Sequence, residues 1–214
     1  MASEPTGGNR AGEPRSALLV DWGGVLTTNL FASFGEFCTE AGVPPDRLVE
    51  AFRGNRAFRD TLIAFEEGKI AEPVFEERFG GLLGIDHAGL IDRLFALVGP
   101  DMAMLAAVRN ARAAGIRTGL ISNSWGTRRY DRAMLGELFD GVVISGDEGI
   151  RKPAPEMYVL GAERAGAAPH ECVFVDDLPF NLPPAEELGM ATVHHVDTPA
   201  TIAELERLLG TRLA

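Results

Sequence analysis

Five short apolar runs constrain the fold most, because none of them alternates in polarity: ALLVD (17–21), IRTGLIS (116–122), GVVIS (141–145), CVFVD (172–176) and ATVHH (191–195). A strand with one solvated face alternates apolar with polar residues. Runs that do not alternate fit strands buried on both faces, as in a parallel sheet covered by helices. The segments between them have helical spacing. PDMAMLAAVRNARAAG (100–115), PEMYVLGAERAG (155–166) and PAEELG (184–189) each close on a glycine, a common helix stop. Strand–helix alternation of this kind predicts a doubly wound, Rossmann-like α/β domain.

The first two runs are separated by roughly ninety residues, longer than any single crossover. That interval contains FASFGEFCTEAGV, PDRLVEAFR, AFRDTLIAFEEG, AEPVFEERFGGLLG and HAGLIDRLFALVG, all amphipathic and without strand character. The expected organisation is therefore a core of residues 17–29 and 98–214 with a helical insertion over 30–97, hinged near Thr27 to Asn29 and near Val98 to Asp101. Residues 1–16, polar and rich in Gly and Pro, are expected to be a disordered tail.

Composition narrows the partners. A net charge of −11 argues against a nucleic-acid footprint, since phosphate backbones bind basic surfaces. No apolar run is long enough to span a bilayer, and the first residues lack the apolar centre of a signal peptide. Cys38 and Cys172 lie far apart without metal-ligand spacing, which fits packing thiols in a reducing, cytoplasmic setting. A small molecule is the expected partner; oligomeric state is not readable.

Ligands of open α/β sheets sit at the carboxyl ends of the strands. The first run ends in Asp21, the second in Ser122 and Asn123, and the fourth in Asp176, followed by Asp177; RKPAPEMY, with Lys152, follows the third. Acidic residues that can hold a divalent cation, a hydroxyl, an amide and an ammonium that can hold an anion, and a carboxylate able to attack phosphorus make one coherent set. It describes a phosphoryl-transfer site, with Mg2+ coordinated by a few carboxylates and by substrate phosphate oxygens.

The motifs VDWGGVL (20–26), LISN (120–123), RKPAP (151–155) and VFVDDLPFN (173–181), in this order and placement, resemble those of the haloacid dehalogenase-like hydrolase superfamily, and the insertion resembles its helical cap. The resemblance implies that Asp21 is the nucleophile and that its carboxylate, the main-chain oxygen of Gly23 and the carboxylate of Asp177 ligate Mg2+, with Asp176 binding directly or through water. Ser122 and Lys152 would bind the transferred phosphoryl group, and Asn123 and Asn181 would support them, Asn123 beside the substrate. It implies a phosphatase acting on a small phosphorylated metabolite.

Gly23 departs from the pattern, because phosphatases of this superfamily usually carry there a second Asp that protonates the leaving group. General acid–base help is worth about 10² to 10⁴ in rate. Its loss favours less basic leaving groups, such as the anomeric hydroxyl of a sugar phosphate, and glycine there also permits a backbone conformation closed to other residues. Two other functions share the set. A 2-haloacid dehalogenase attacks carbon and needs no proton donor, but it needs no metal either, and Asp176 with Asp177 argues against it. A catalytically impaired ligand-binding or phosphoacceptor protein is the third. His194 and His195, adjacent on a strand, point to opposite faces and are expected to be structural or solvated. Arg128, Arg129 and Arg132 are expected on a solvated helix face, and Trp22 beside the site.

Overall fold

The computed structural model describes residues 14–214, so residues 1–13 of the expected tail lie outside the described residues. Strand β1 (Ala17–Val20) is followed by five helices: α1 (Leu30–Glu40), α2 (Pro45–Arg53), α3 (Arg56–Glu66), α4 (Glu72–Leu83) and α5 (Leu90–Phe95). Alternation then resumes with α6 (Met102–Ala113), β2 (Arg117–Ser122), α7 (Arg132–Leu138), β3 (Gly141–Ile144), α8 (Ser145–Glu148) and α9 (Pro155–Ala165). The chain closes with β4 (Cys172–Asp176), α10 (Leu182–Glu187), β5 (Ala191–His194) and α11 (Thr198–Leu209). The expected strands form, some a residue shorter than the apolar run: Asp21 and His195 donate a last main-chain hydrogen bond to the neighbouring strand beyond the paired residues, and Ser145 opens α8. Helix α10 starts at Leu182 rather than Pro184, since prolines are tolerated in a first turn where the N–H has no helical partner.

The five strands pair in parallel in the order β3-β2-β1-β4-β5. Alternate residues of β1 serve different cores, which explains the run's unbroken apolarity. Leu18 and Val20 pack with Met104, Val108, Leu135 and Leu205 from α6, α7 and α11. Ala17 and Leu19 pack on the other face with Met157, Tyr158 and Ala185 from α9 and α10. Strand order reverses between β1 and β4, so their carboxyl ends flank the crevice where such sheets bind ligands.

Helices α1 to α5 gather a separate apolar cluster that includes Phe34, Phe58, Phe75, Phe79 and Leu90. The chain leaves and returns to the sheet side by side. Thr27 and Pro100 form an antiparallel bridge, Thr28 N donates to Gly99 O at 2.8 Å, and Asp101 N donates to Leu26 O at 2.9 Å. Asn29 caps α1 and Asp101 caps α6 through side-chain oxygens that accept main-chain N–H groups. No helix of the described residues is long and apolar enough to cross a membrane.

Candidate active site

Asp21 follows β1 directly. Its main-chain N–H donates to Val175 O at 2.9 Å, and its Oδ1 accepts from Trp22 N at 2.7 Å, which orients the carboxylate. Lys152, 0% exposed, lies between two carboxylates, with Nζ 2.9 Å from Asp21 Oδ1 and 2.6 Å from Asp176 Oδ2. Among the described residues, Asp21 Oδ2 has no hydrogen-bond partner. One oxygen is thus held and the other is uncommitted.

Asp176 is enclosed by protein donors: Leu178 N at 2.9 Å to Oδ1, Asn181 Nδ2 at 3.0 and 3.1 Å, and Lys152. Asn181 is itself held, its carbonyl accepting from Tyr158 Oη at 2.7 Å. Asp177, by contrast, is half-buried. Oxygens of Asp21, Asp176 and Asp177 all come within 4.8 Å of one another.

The approach of Asp177 depends on Gly24. A Cβ there would collide with Asp177 Oδ2, and its φ of 75° belongs to the left-handed region that suits glycine. The special backbone is therefore at Gly24 and not at Gly23, which has no positive φ. A Cβ on Gly23 would meet Leu30 Cδ1 at 2.6 Å, so the first residue of α1 fills the space of the absent side chain.

Burial raises the Asp21 carboxyl well above the ordinary range; Lys152 opposes this and the neighbouring Asp176 and Asp177 reinforce it. Asp177 is pushed up to about 6 by burial and by Asp176. Burial lowers the Lys152 ammonium, but Asp176 and Asp21 outweigh it and hold the group above its usual value. Clustered carboxylates that resist ionisation favour a divalent cation, whose charge reverses that cost. The donors are all oxygen, as hard ions such as Mg2+ require, and Gly24 leaves the cradle open. The residues present fit such an ion.

Asn123 and Lys152 clasp each other through the main chain: Asn123 Nδ2 donates to Lys152 O at 3.0 Å, and Lys152 N donates to Asn123 Oδ1 at 2.8 Å. The Asn123 amide, expected beside the substrate, is thus occupied in holding the lysine loop. Ser122 Oγ lies 2.8 Å from Tyr130 Oη, and Tyr130 packs edge-on against Trp22 at 5.8 Å. No local pattern marked Tyr130, eight residues further on. His194 Nε2 contacts Asp177 O at 3.1 Å and His195 Nδ1 contacts Thr201 Oγ1 at 2.9 Å, which are structural roles. Cys38 and Cys172 are free and buried.

The helical segment is fastened to the sheet edge in two places. Glu66, at the end of α3, is buried; its main-chain oxygen accepts from Ser145 Oγ at 2.5 Å and Ser124 Oγ at 3.3 Å, and its carboxylate meets Arg151 Nε at 2.5 Å. Arg128 and Arg129 pair with Glu72 and Asp92 of α4 and α5. Those two arginines lie in a short 3-10 turn and answer acidic groups across the junction; Arg128 remains exposed, as expected, whereas Arg129 is largely covered. Arg132 instead pairs with Asp147 at 2.8 Å. Trp125, two residues after Asn123, packs in the aromatic cluster of the helical segment, 5.1 Å from Phe34 and 5.7 Å from Phe75. A cavity of about 490 Å³ lies between the two parts beside the strand ends.

A model of the haloacid dehalogenase-like hydrolase family matches residues 16–189. The chain is 32% identical over 211 residues to acyl-CoA dehydrogenase family member 10 of Mus musculus, which covers 93% of this chain and 20% of that protein. It is 31% identical over 157 residues to the sesquiterpene phosphatase astK of Aspergillus oryzae, covering 71% of this chain and 80% of that protein. The chain spans about a fifth of the length of the first curated relatives it matches. Among solved structures, the magnesium complex of a haloacid dehalogenase family enzyme from Bacteroides thetaiotaomicron has the same fold, with TM-score 0.67 at 22% identity over 86% of this chain and 94% of that one.

Proposed function

The chain belongs to the haloacid dehalogenase-like hydrolases, and from that premise we propose that it is a Mg2+-dependent phosphatase of a small phosphorylated metabolite, acting through an aspartyl-phosphate on Asp21. The observation that carries this reading is the Asp21 carboxylate, one oxygen held by Lys152 and Trp22 N and the other uncommitted. The likeness to a sesquiterpene phosphatase supports phosphomonoester chemistry.

In this reading Asp21 Oδ2 attacks phosphorus, the bond from phosphorus to the ester oxygen breaks, and the departing alkoxide takes a proton from solvent water and leaves as the alcohol. Water then attacks the same phosphorus, releasing phosphate and regenerating the carboxylate. Asp21, Asp177 and the main-chain oxygen of Gly23 would hold Mg2+, with Asp176 set behind them by Asn181. Bound there, the ion would polarise the phosphoryl oxygens and balance developing negative charge. Lys152 and Ser122 would receive phosphoryl oxygens, while the ammonium keeps the first carboxylate from repelling an anionic substrate. Tyr130, its phenol raised by burial, stays protonated and orients the Ser122 hydroxyl. Glycine at 23 supplies no proton to the leaving oxygen. The helices over residues 30–97 would act as a cap that excludes water from the reacting centre.

Phosphate release from a panel of phosphorylated metabolites, with Mg2+ and with chelator, tests the reading. Turnover should require the metal and vanish in Asp21→Asn. Asp177→Asn should raise the Mg2+ concentration needed. Full activity in Asp21→Asn, or halide release from a 2-haloacid in chelator, would overturn it.

A further inference from the structure

Resting on the phosphatase reading, we propose that the leaving group is an apolar alcohol, so that the substrate is an alkyl or isoprenoid-like monophosphate rather than a phosphorylated polyol. The cavity at the strand ends, reached from Asp21 through Trp22 and Gly23, which line it, has a volume of about 490 Å³, within the range of small-molecule sites. Its floor is formed at the strand ends, where Gly23, Ser122 and Asn123 line it, and its roof comes from the helical segment. Most of the wall is aromatic or aliphatic: Trp22, Leu26, Leu30, Phe95, Trp125 and Met134.

The carboxylate, amide and hydroxyl groups on this wall are already engaged. Asp92 is paired with Arg128 and Arg129. The Asn123 amide is bound on both sides to the Lys152 main chain. Ser122 Oγ accepts from Tyr130 and keeps its proton for the phosphoryl group, and Thr27 Oγ1 donates to Thr28 O while accepting from Gly24 N. Arg129 Nε is a buried nitrogen without a partner, and the remaining free side-chain donors among the described residues of the wall are the indole N–H groups of Trp22 and Trp125 and one guanidinium nitrogen of Arg128. A polyol entering this space would give up water on every hydroxyl and recover few of those hydrogen bonds, a penalty that rejects it. An alkyl chain loses nothing and gains about 0.8 kcal/mol per buried methylene, a factor of about four in kcat/KM. Leu30 extends this surface to Gly23, where a general acid would otherwise place a carboxylate.

Butyl, hexyl and octyl phosphate, glucose 6-phosphate and acetyl phosphate, each below micelle-forming concentrations and with Mg2+, separate the outcomes. The alkyl esters and glucose 6-phosphate all release a primary alcohol of similar basicity, so their differences report the cavity. Acetyl phosphate, with a small leaving group that needs no proton, reports the phosphoryl chemistry alone. The expected result is a rise in kcat/KM on the order of a hundredfold from butyl to octyl phosphate, with glucose 6-phosphate below hexyl phosphate. Met134→Asp should lower the octyl-to-acetyl ratio. Hydrolysis of acetyl phosphate without a rise along the alkyl series, or a preference for glucose 6-phosphate, overturns the apolar assignment and leaves the phosphatase reading standing. Absence of Mg2+-dependent phosphate release from every ester and from acetyl phosphate overturns both.

Discussion

Replacing Lys152 by Met removes a charge while keeping most of the volume of a fully buried side chain, so it isolates electrostatics from packing. The ammonium lies 2.9 Å from one carboxylate and 2.6 Å from the other. With an effective dielectric of ~20, unit charges about 3 Å apart attract by roughly 6 kcal/mol, much of which offsets the desolvation of the ions themselves. What the variant exposes is the cost of buried carboxylates left without their cation, about 3–5 kcal/mol. The loss should depend on pH. Asp21 and Asp177 already titrate above the ordinary range, and both rise further once Lys152 no longer lowers them. A carboxyl with a folded pKa above its unfolded value contributes stability that is complete below the unfolded pKa and disappears as pH rises through the folded one. The deficit should therefore be largest at pH 8 and smaller at pH 5, where protonation relieves the repulsion. Urea unfolding of both proteins at the two pH values, in chelator, reads it directly, and Mg2+ at pH 8 should recover part of the loss. A deficit under ~1 kcal/mol at pH 8, or equal deficits at both pH values with unchanged m, would show that Lys152 does not hold these carboxylates as described.

Gly23→Asp, made with Leu30→Ala because Leu30 Cδ1 occupies the new side chain's space, should raise the single-turnover rate on an alkyl phosphate by about tenfold or more while barely changing that on p-nitrophenyl phosphate; equal effects on both would mean that Gly23 is not the site of a missing acid. Glu66 is pushed up to about 7 by burial, against an ordinary value of 4.5, despite Arg151. Its native state thus binds more protons between pH 4.5 and 7, and the group's contribution to stability falls across that window by up to about 3 kcal/mol. Glu66→Gln should flatten the pH dependence of urea unfolding there, and an unaltered slope would refute the assignment. Asp92→Asn, which weakens the pairs to Arg128 and Arg129, should cost only ~1 kcal/mol or less. It should nonetheless increase thermolysin cleavage at 27–30 and 98–101, most at low salt; cleavage identical to wild type would mean that these pairs do not restrain the helical segment.

The α/β alternation and the strand ends that carry the candidate site were legible because each rests on local physics. Double-faced burial leaves apolar runs without alternation, and a strand ending in Asp21, Ser122 or Asp176 delivers its last side chain to the same sheet edge once the strands are parallel. The helical segment was visible as amphipathic stretches where no strand pattern occurs. The contacts that hold the site rigid were not legible, because they join residues distant in sequence and common in type. Nothing local distinguishes Tyr130 from any core tyrosine, yet it lies 2.8 Å from Ser122. Asn123, a plausible ligand group by position, is taken up by Lys152 twenty-nine residues away. The acidic partners of Arg128 and Arg129, Glu72 and Asp92, were not legible because they lie on helices whose docking depends on distant contacts such as the packing of Trp125 among Phe34 and Phe75. Gly23 and Gly24 are the sharpest case. They are indistinguishable as adjacent letters, but close approach of Asp177 forces a left-handed glycine at 24, while the docked α1 helix fills the space beside 23 with Leu30.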